Sequence, residues 1–423
     1  MPRILTIRKS EGKPGQVYYP LEFQETPDKP VPGPGEVLVR MRAAALNHRD
    51  HFIRQHLYPG IGFGVPMLAD GVGIVEALGP DDVNSSPSPS KPKGGTGALL
   101  HKRVLLTPMR GWAADPVGPE DERRFAVAGG GRNYPDVGYG RDWAAVPASE
   151  VEPCPEHLSD AEAAALPLVG LTAWRALVTK ANLGLCFSRD DKEGKGKERK
   201  NILVTGIGGG VALAALQFAV GFGTCDVWVT SSSTSKIERA VALGAKGGVL
   251  YRDDNNSTST TWDKKLATQL PPGRPYLDAV IDGAGGDVVA RAALRLLRPG
   301  GVVVSYGMTL GPKMDWLMGA VLRNVELRGT TMGSRAEFAD MVAFVKARRI
   351  VPVVSRVVRA SECWGQKKRE GEGDVGYDFA AIEGLFADIR AGRHFGKLVI
   401  EISTAADDED GDKKIADKTD AKL

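Results

Sequence analysis

The sequence predicts an α/β protein of two domains, one β-rich and one built on a doubly wound parallel sheet. Three observations predict it. The chain has 423 residues, enough for two separate cores. Short β-branched runs broken by turn residues extend to about residue 150. Beyond about residue 155, short apolar strands alternate with helical periods, the pattern of βαβ units. Apolar residues at 42% and charged residues at 25% are values for a folded globular chain.

From the N-terminus, Met1-Pro2-Arg3-Ile4-Leu5-Thr6-Ile7 lacks the apolar core of a secretory signal, and no later stretch reaches membrane-spanning length. The run Glu36-Val37-Leu38-Val39-Arg40-Met41 reads as a strand of the first domain, which is expected over residues 1–155. The parallel-sheet domain is expected over 156–345. Residues 346–404 return to the first domain through Phe395-Gly396-Lys397-Leu398-Val399-Ile400. Four polar segments, roughly 81–98, 186–200, 252–274 and 361–378, read as surface insertions. A tail over 405–423, with Asp407-Asp408-Glu409-Asp410 and then alternating Lys and Asp, has almost nothing to bury and is expected to be disordered.

Lys and Arg total 55 against 52 Asp and Glu, a net charge of +3, which gives no reason to expect a nucleic-acid or membrane partner, so any anion site must be local. Cys154, Cys186, Cys225 and Cys363 stand far apart with no C-x-x-C pair. That argues against a disulfide framework or a cysteine zinc site and fits a reducing compartment, the cytoplasm.

The sharpest motif follows the strand-like run Asn201-Ile202-Leu203-Val204-Thr205. It reads Gly206-Ile207-Gly208-Gly209-Gly210-Val211 and leads into the apolar helical stretch Ala212 to Val220. A pyrophosphate needs backbone N–H groups at a helix N-terminus, and glycines let the main chain come close enough. Val211 replaces the third glycine of G-x-G-x-x-G. A bare glycine turn between any strand and helix is the alternative, and context weighs against it. Asp226 to Thr230 supplies a second strand, and Ser235-Lys236-Ile237-Glu238 opens the next helix with a capping-box pattern. The unit is of Rossmann type. Where an NAD site places an acidic residue for the ribose hydroxyls, this chain has Ser231-Ser232-Ser233, with Lys236 a turn later. Hydroxyls and an ammonium suit a 2′-phosphate, so NADPH is expected; the other reading has the serines capping the helix and Lys236 solvated.

With these residues in place, the chain resembles the zinc-free quinone oxidoreductases and enone reductases of the medium-chain dehydrogenase/reductase superfamily. Further ordered motifs carry the resemblance: Ala45-Leu46-Asn47-His48-Arg49-Asp50, then Ile53 to Gly60, Ala69-Asp70-Gly71-Val72-Gly73, Leu166-Pro167-Leu168-Val169-Gly170-Leu171-Thr172-Ala173-Trp174, and Leu297-Arg298-Pro299-Gly300-Gly301 before Val302 to Tyr306 and Gly307. It implies a GroES-like β-rich catalytic domain, a six-stranded Rossmann sheet, a cofactor in the cleft between them, and a homodimer. It also implies cofactor contacts from Thr172, Tyr251, Gly307 and the segment Phe395, Gly396 and Lys397; Tyr251 is otherwise a strand-edge aromatic.

Asn47 stands where zinc-dependent relatives carry a cysteine, and Ala69 where they carry a histidine, so no metal is expected. His48, His51 and His56, at offsets of three and five, read as surface or packing histidines. Without a Lewis acid the best-matched chemistry is reduction of an already electrophilic acceptor, a quinone or α,β-unsaturated carbonyl. Asn47 and Tyr58 are the candidate donors to the developing oxyanion; alternatively Asn47 fixes its loop through Asp50 and Tyr58 packs. Competing functions are a non-catalytic NADPH-binding sensor or scaffold, and a zinc alcohol dehydrogenase with atypical ligands. The last residues, Ala421-Lys422-Leu423, resemble a peroxisomal address, the alternative to the cytoplasm.

Overall fold

A computed structural model describes residues 1–80, 96–183, 199–252, 261–286, 294–307, 309, 313–367 and 376–404. The expected tail and parts of all four polar segments lie outside these residues. The chain divides into two compact units. One comprises Met1–Gly111, Asp121–Pro167 and the stretch from Val354 on; the other comprises Trp112–Glu120 and Leu168–Val353. Among the described residues no helix is long and apolar enough to cross a membrane.

The first unit is GroES-like and β-rich. Its main sheet is centred on Glu36–Leu46, which pairs antiparallel with Asp70–Leu78, Lys397–Glu401 and Trp143–Pro147. The closing strand thus comes from the far end of the chain, as the apolar run after Phe395 predicts. Its register puts Leu398 opposite Leu46, while Ala45 lies opposite Asp70. Three segments distant in sequence therefore end side by side at one rim of the sheet.

The second unit is a six-stranded parallel sheet in the order Gly247–Leu250, Cys225–Ser231, Lys200–Val204, Leu277–Asp282, Leu297–Ser305 and Glu326–Gly329. Cys225–Ser231 and Leu277–Asp282 are buried along their whole length, as strands covered on both faces must be. Register aligns Trp228, Leu203, Val280 and Val303 on one face, where they form a core with Trp262, Leu266 and Leu270. Trp174, Phe218, Phe222 and Phe344 make a second aromatic cluster, with Phe344 centred 5.2 Å from both Trp174 and Phe222.

Three expectations need correction. Residues 252–274 are not wholly a surface insertion: Trp262–Ala267 is a helix whose Trp262 and Leu266 are core residues. Within 361–378, Cys363 and Trp364 are buried, and Trp364 and Tyr377 both pack edge-on against Phe23. Polar composition hid these anchors because one aromatic per turn is enough to dock a short segment. The helix after the second strand begins at Thr234, not Ser235. Its N-cap, Ser233, makes no side-chain capping bond, and its Oγ lies 3.0 Å from that of Ser235. True capping boxes form instead at Ser159 with Glu162 and at Ser334 with Glu337.

Candidate functional site

Two constellations bear chemistry, one in each unit. In the parallel-sheet unit, the turn Gly206–Gly209 joins Lys200–Val204 to the 13-residue helix Gly210–Phe222. Gly206 needs its glycine for conformation, with φ at +61°, and Gly208 likewise at +126°. Gly209 is different. Its φ is −73°, which any residue adopts, and a Cβ built there meets nothing within 4 Å. Neither strain nor crowding by the described residues explains the missing side chain. The open space lies at a helix N-terminus, where backbone N–H groups are able to meet an anion. Gly210 is the first helical residue, and Val211 follows it half-buried.

The other expected cofactor residues of this unit gather at the C-terminal ends of the strands. Ser231 is buried and its Oγ accepts the Ser233 N–H at 3.1 Å, whereas Ser232 is exposed. Tyr251 is tied to Ser231 by its backbone N–H, 3.0 Å from the Ser231 carbonyl. Lys236 crosses the glycine turn: a Cβ on Gly208 would stand 3.2 Å from its Nζ. Desolvation and then the charge of Arg239 lower the Lys236 pKa, a state that a bound phosphate would relieve. Sequence reading missed Arg239, although its i,i+3 spacing from Lys236 puts both cations on one helix face. Gly307 approaches the neighbouring strand end, where a Cβ would lie 3.2 Å from the Gly283 carbonyl. Thr172 is buried and its hydroxyl donates to the Leu168 carbonyl at 2.8 Å, a bond within its own helix.

In the β-rich unit, the strand registers bring Asn47, Asp70 and Lys397 together, all nearly inaccessible to solvent. The Lys397 ammonium donates to the Leu46 carbonyl, Asn47 Oδ1 and Asp70 Oδ2, each at 2.7 Å. Asn47 Nδ2 donates to Asp70 at 2.9 Å, and the Asn47 backbone N–H donates to Asp50 at 2.8 Å. Asn47 thus closes its loop through Asp50, and no described residue accepts its second Nδ2 hydrogen. Burial raises the Asp50 carboxyl to about 6, against the opposing pull of Arg49.

Sequence reading did not join these residues. The available signal was an ionisable group inside an apolar run, Lys397 before Leu398-Val399-Ile400, which demands a buried partner. Of its neighbours, Phe395 is buried, and Gly396 has a φ of +111°. Tyr58 is half-buried, its ring 5.0 Å from the Arg49 guanidinium, and its described contacts do not reach Asn47.

Protein atoms crowd the His48 imidazole although solvent still reaches it. Desolvation first, then the charges of His394, His51 and Lys397, lower its pKa to about 4. His51 meets the Tyr18 hydroxyl at 3.2 Å and His56 the Tyr19 hydroxyl at 2.5 Å, both packing roles. Among the described residues no group of three or more His, Cys, Asp or Glu is placed to hold a metal. Burial raises the thiols of Cys154 and Cys225 to about 11 and that of Cys363 to about 12.

Two family profiles match the chain: the alcohol dehydrogenase GroES-like domain over residues 33–156 and the zinc-binding dehydrogenase over residues 210–347. The zinc-type alcohol dehydrogenase-like protein YogA of Leptosphaeria maculans is 51% identical, over 95% of this chain and all of its own length. A crotonyl-CoA reductase of Streptomyces avermitilis is 26% identical over 73% of this chain and 71% of its own. The crystal structure of an NAD-dependent alcohol dehydrogenase superposes with a TM-score of 0.69 at 27% identity, covering 95% of this chain and all of its own.

Proposed function

The chain belongs to the medium-chain dehydrogenase/reductase superfamily, and from that premise we propose that it is an NADPH-dependent, zinc-free reductase of α,β-unsaturated carbonyls or quinones. A nicotinamide dinucleotide is the cofactor expected of this fold, and when bound it supplies the hydride. Gly208, Gly209 and Gly210 would offer amides to its pyrophosphate, with Val211 behind them, while Gly206, whose N–H donates to the Thr230 hydroxyl at 3.2 Å, would shape the turn that presents them. Ser231, Ser232, Lys236 and Tyr251, joined by Arg239, would hold the adenosine end; three hydroxyls and two cations, with no carboxylate among these five, favour a 2′-phosphate. Thr172, Gly307 and the Phe395–Lys397 segment complete the proposed contacts, Lys397 through its backbone because its ammonium is already engaged.

The observation that carries the reading is the anchored amide of Asn47. Lys397 holds Oδ1 and Asp70 holds one Nδ2 hydrogen, so the second hydrogen is the one available to a substrate oxygen as it gains negative charge. A single preorganised donor of this kind contributes about 3 kcal/mol to such a transition state. Tyr58 is the second proposed donor, and Arg49 beside its ring steadies it.

The names of the relatives favour a zinc enzyme. The residues here do not fit zinc, which takes thiolate, imidazole or carboxylate donors. Asn47 offers an amide, Ala69 a methyl group, and Asp70 is already paired to an ammonium. No step is assigned to a metal.

Exposed Met318, Val321 and Leu322 precede the sheet's edge strand Glu326–Gly329, whose Leu327 is also exposed, and these apolar side chains are the ground for proposing a homodimer. The decisive experiment is single-turnover oxidation of bound NADPH by a panel of enones and quinones in the presence of a chelator. Consumption with at least one acceptor is expected. Binding without consumption is the outcome for a sensor, and chelator-sensitive alcohol oxidation with stoichiometric zinc is the outcome for a zinc dehydrogenase.

A further inference from the structure

Three oxygens, from Leu46, Asn47 and Asp70, converge on the Lys397 nitrogen, each at 2.7 Å. An ammonium has three N–H groups, and here all three are used. Such a set of oxygens is what a bound cation would need, but its radius is wrong for the common divalent ions. Zinc and magnesium sit about 2.0–2.2 Å from oxygen and calcium about 2.3–2.6 Å. Contracting the cage would draw the Asp70 carboxylate and the Asn47 amide in toward the Leu46 carbonyl, against the pairing of two adjacent strands that fixes Ala45 opposite Asp70.

The charge also has to be there. Asp70 is fully buried and Asp50 lies a few residues along from Asn47, so a cation at this point offsets carboxylate charge that water cannot reach. The same ammonium decides which way the Asn47 amide faces. Turned over, the amide would set its NH2 against the ammonium and its oxygen against the Asp70 carboxylate, two repulsive contacts in place of two charge-assisted bonds.

We infer that Lys397 is a positioning residue: its ammonium is the resident cation of this oxygen cage and locks the Asn47 amide with an N–H turned to the substrate oxygen. The inference rests on Asn47 being the oxyanion donor. It goes beyond that reading by assigning a cation-specific site to a strand residue whose side-chain donors are all spent inside the cage.

The test compares wild type with Lys397→Ala, alone and with methylammonium chloride, using sodium chloride at matched ionic strength and zinc chloride as controls. For Lys397→Ala, kcat should fall about 100-fold while KM and NADPH affinity change less than about threefold. Methylammonium should restore at least about tenfold of kcat and raise the variant's melting temperature, and neither sodium nor zinc should do so. A kcat within about threefold of wild type, or rescue by zinc instead of methylammonium, overturns the inference. If Lys397→Ala does not fold, Lys397→Met/Asp70→Asn removes both charges together. It should melt near wild type with kcat still about 100-fold down, and retained kcat overturns the inference. Wild type that consumes no NADPH with any acceptor defeats the functional reading alone. The melting temperature of Lys397→Ala in methylammonium still decides the cage.

Discussion

Gly209 separates a residue kept for folding from one kept for a ligand. With an ordinary φ and open space at its Cβ position, Gly209→Ala should leave the melting temperature unchanged or slightly raised, since alanine restricts the unfolded chain. NADPH affinity, measured by calorimetry, should nonetheless fall about tenfold as the methyl group meets the pyrophosphate. Gly206→Ala reverses the pattern, losing about 1 kcal/mol of stability at its left-handed φ. Titration separates two other residues. His48, lowered to about 4, favours the neutral ring in the folded state. Its contribution to stability is therefore full above pH 6.5 and is lost as pH falls through 4. Asp50, raised to about 6, contributes fully below its ordinary 3.8, and that contribution disappears as pH rises through 6. Denaturant melts of His48→Gln and Asp50→Asn against wild type between pH 4 and 7 should show these opposite slopes, and parallel curves would contradict both. The glycines were legible in sequence because a turn motif is local. Asp70 was not, because its meaning depends on a lysine 327 positions away.

Among the elements, the strand–turn–helix unit was readable because apolar period and glycine punctuation agree over about twenty residues. The exact start of the helix Thr234–Ala242 was not, since five consecutive hydroxyl residues from Ser231 offer rival caps. The end of the second strand carries the specificity prediction. Ser232→Asp should shift the kcat/KM preference from NADPH towards NADH, and Lys236→Ala should weaken NADPH binding with little effect on NADH. An unchanged ratio in both variants would remove the 2′-phosphate assignment. The edge strand carries another. Val321→Glu/Leu322→Glu places charge on an exposed apolar patch and should convert a dimer to a monomer in sedimentation without altering the circular dichroism. A wild type that sediments as a monomer would remove that proposal. Polar runs misled the sequence reading at Trp262 and Trp364, where composition reports the many exposed residues and conceals the one that docks.

Across the whole molecule, the two architectures were legible because their hydrophobic periods differ, two in one unit and mostly continuous or helical in the other. What escaped was register, which emerges only when strands from residues 36–46, 70–78 and 397–401 lie side by side. The thiols show what such burial does to a side chain's chemistry. Cys154, Cys225 and Cys363 are buried with pKa values raised to about 11, 11 and 12, so near neutral pH each holds its proton and lacks the nucleophilic form. Maleimide should label these three far more slowly in the native protein than after unfolding, as peptide mass mapping would reveal. An acceptor reactive enough to take a hydride at its β-carbon is also an alkylating agent for any thiolate it meets. On the proposed function, keeping these sulfurs protonated and out of reach would spare them from such a compound through successive turnovers.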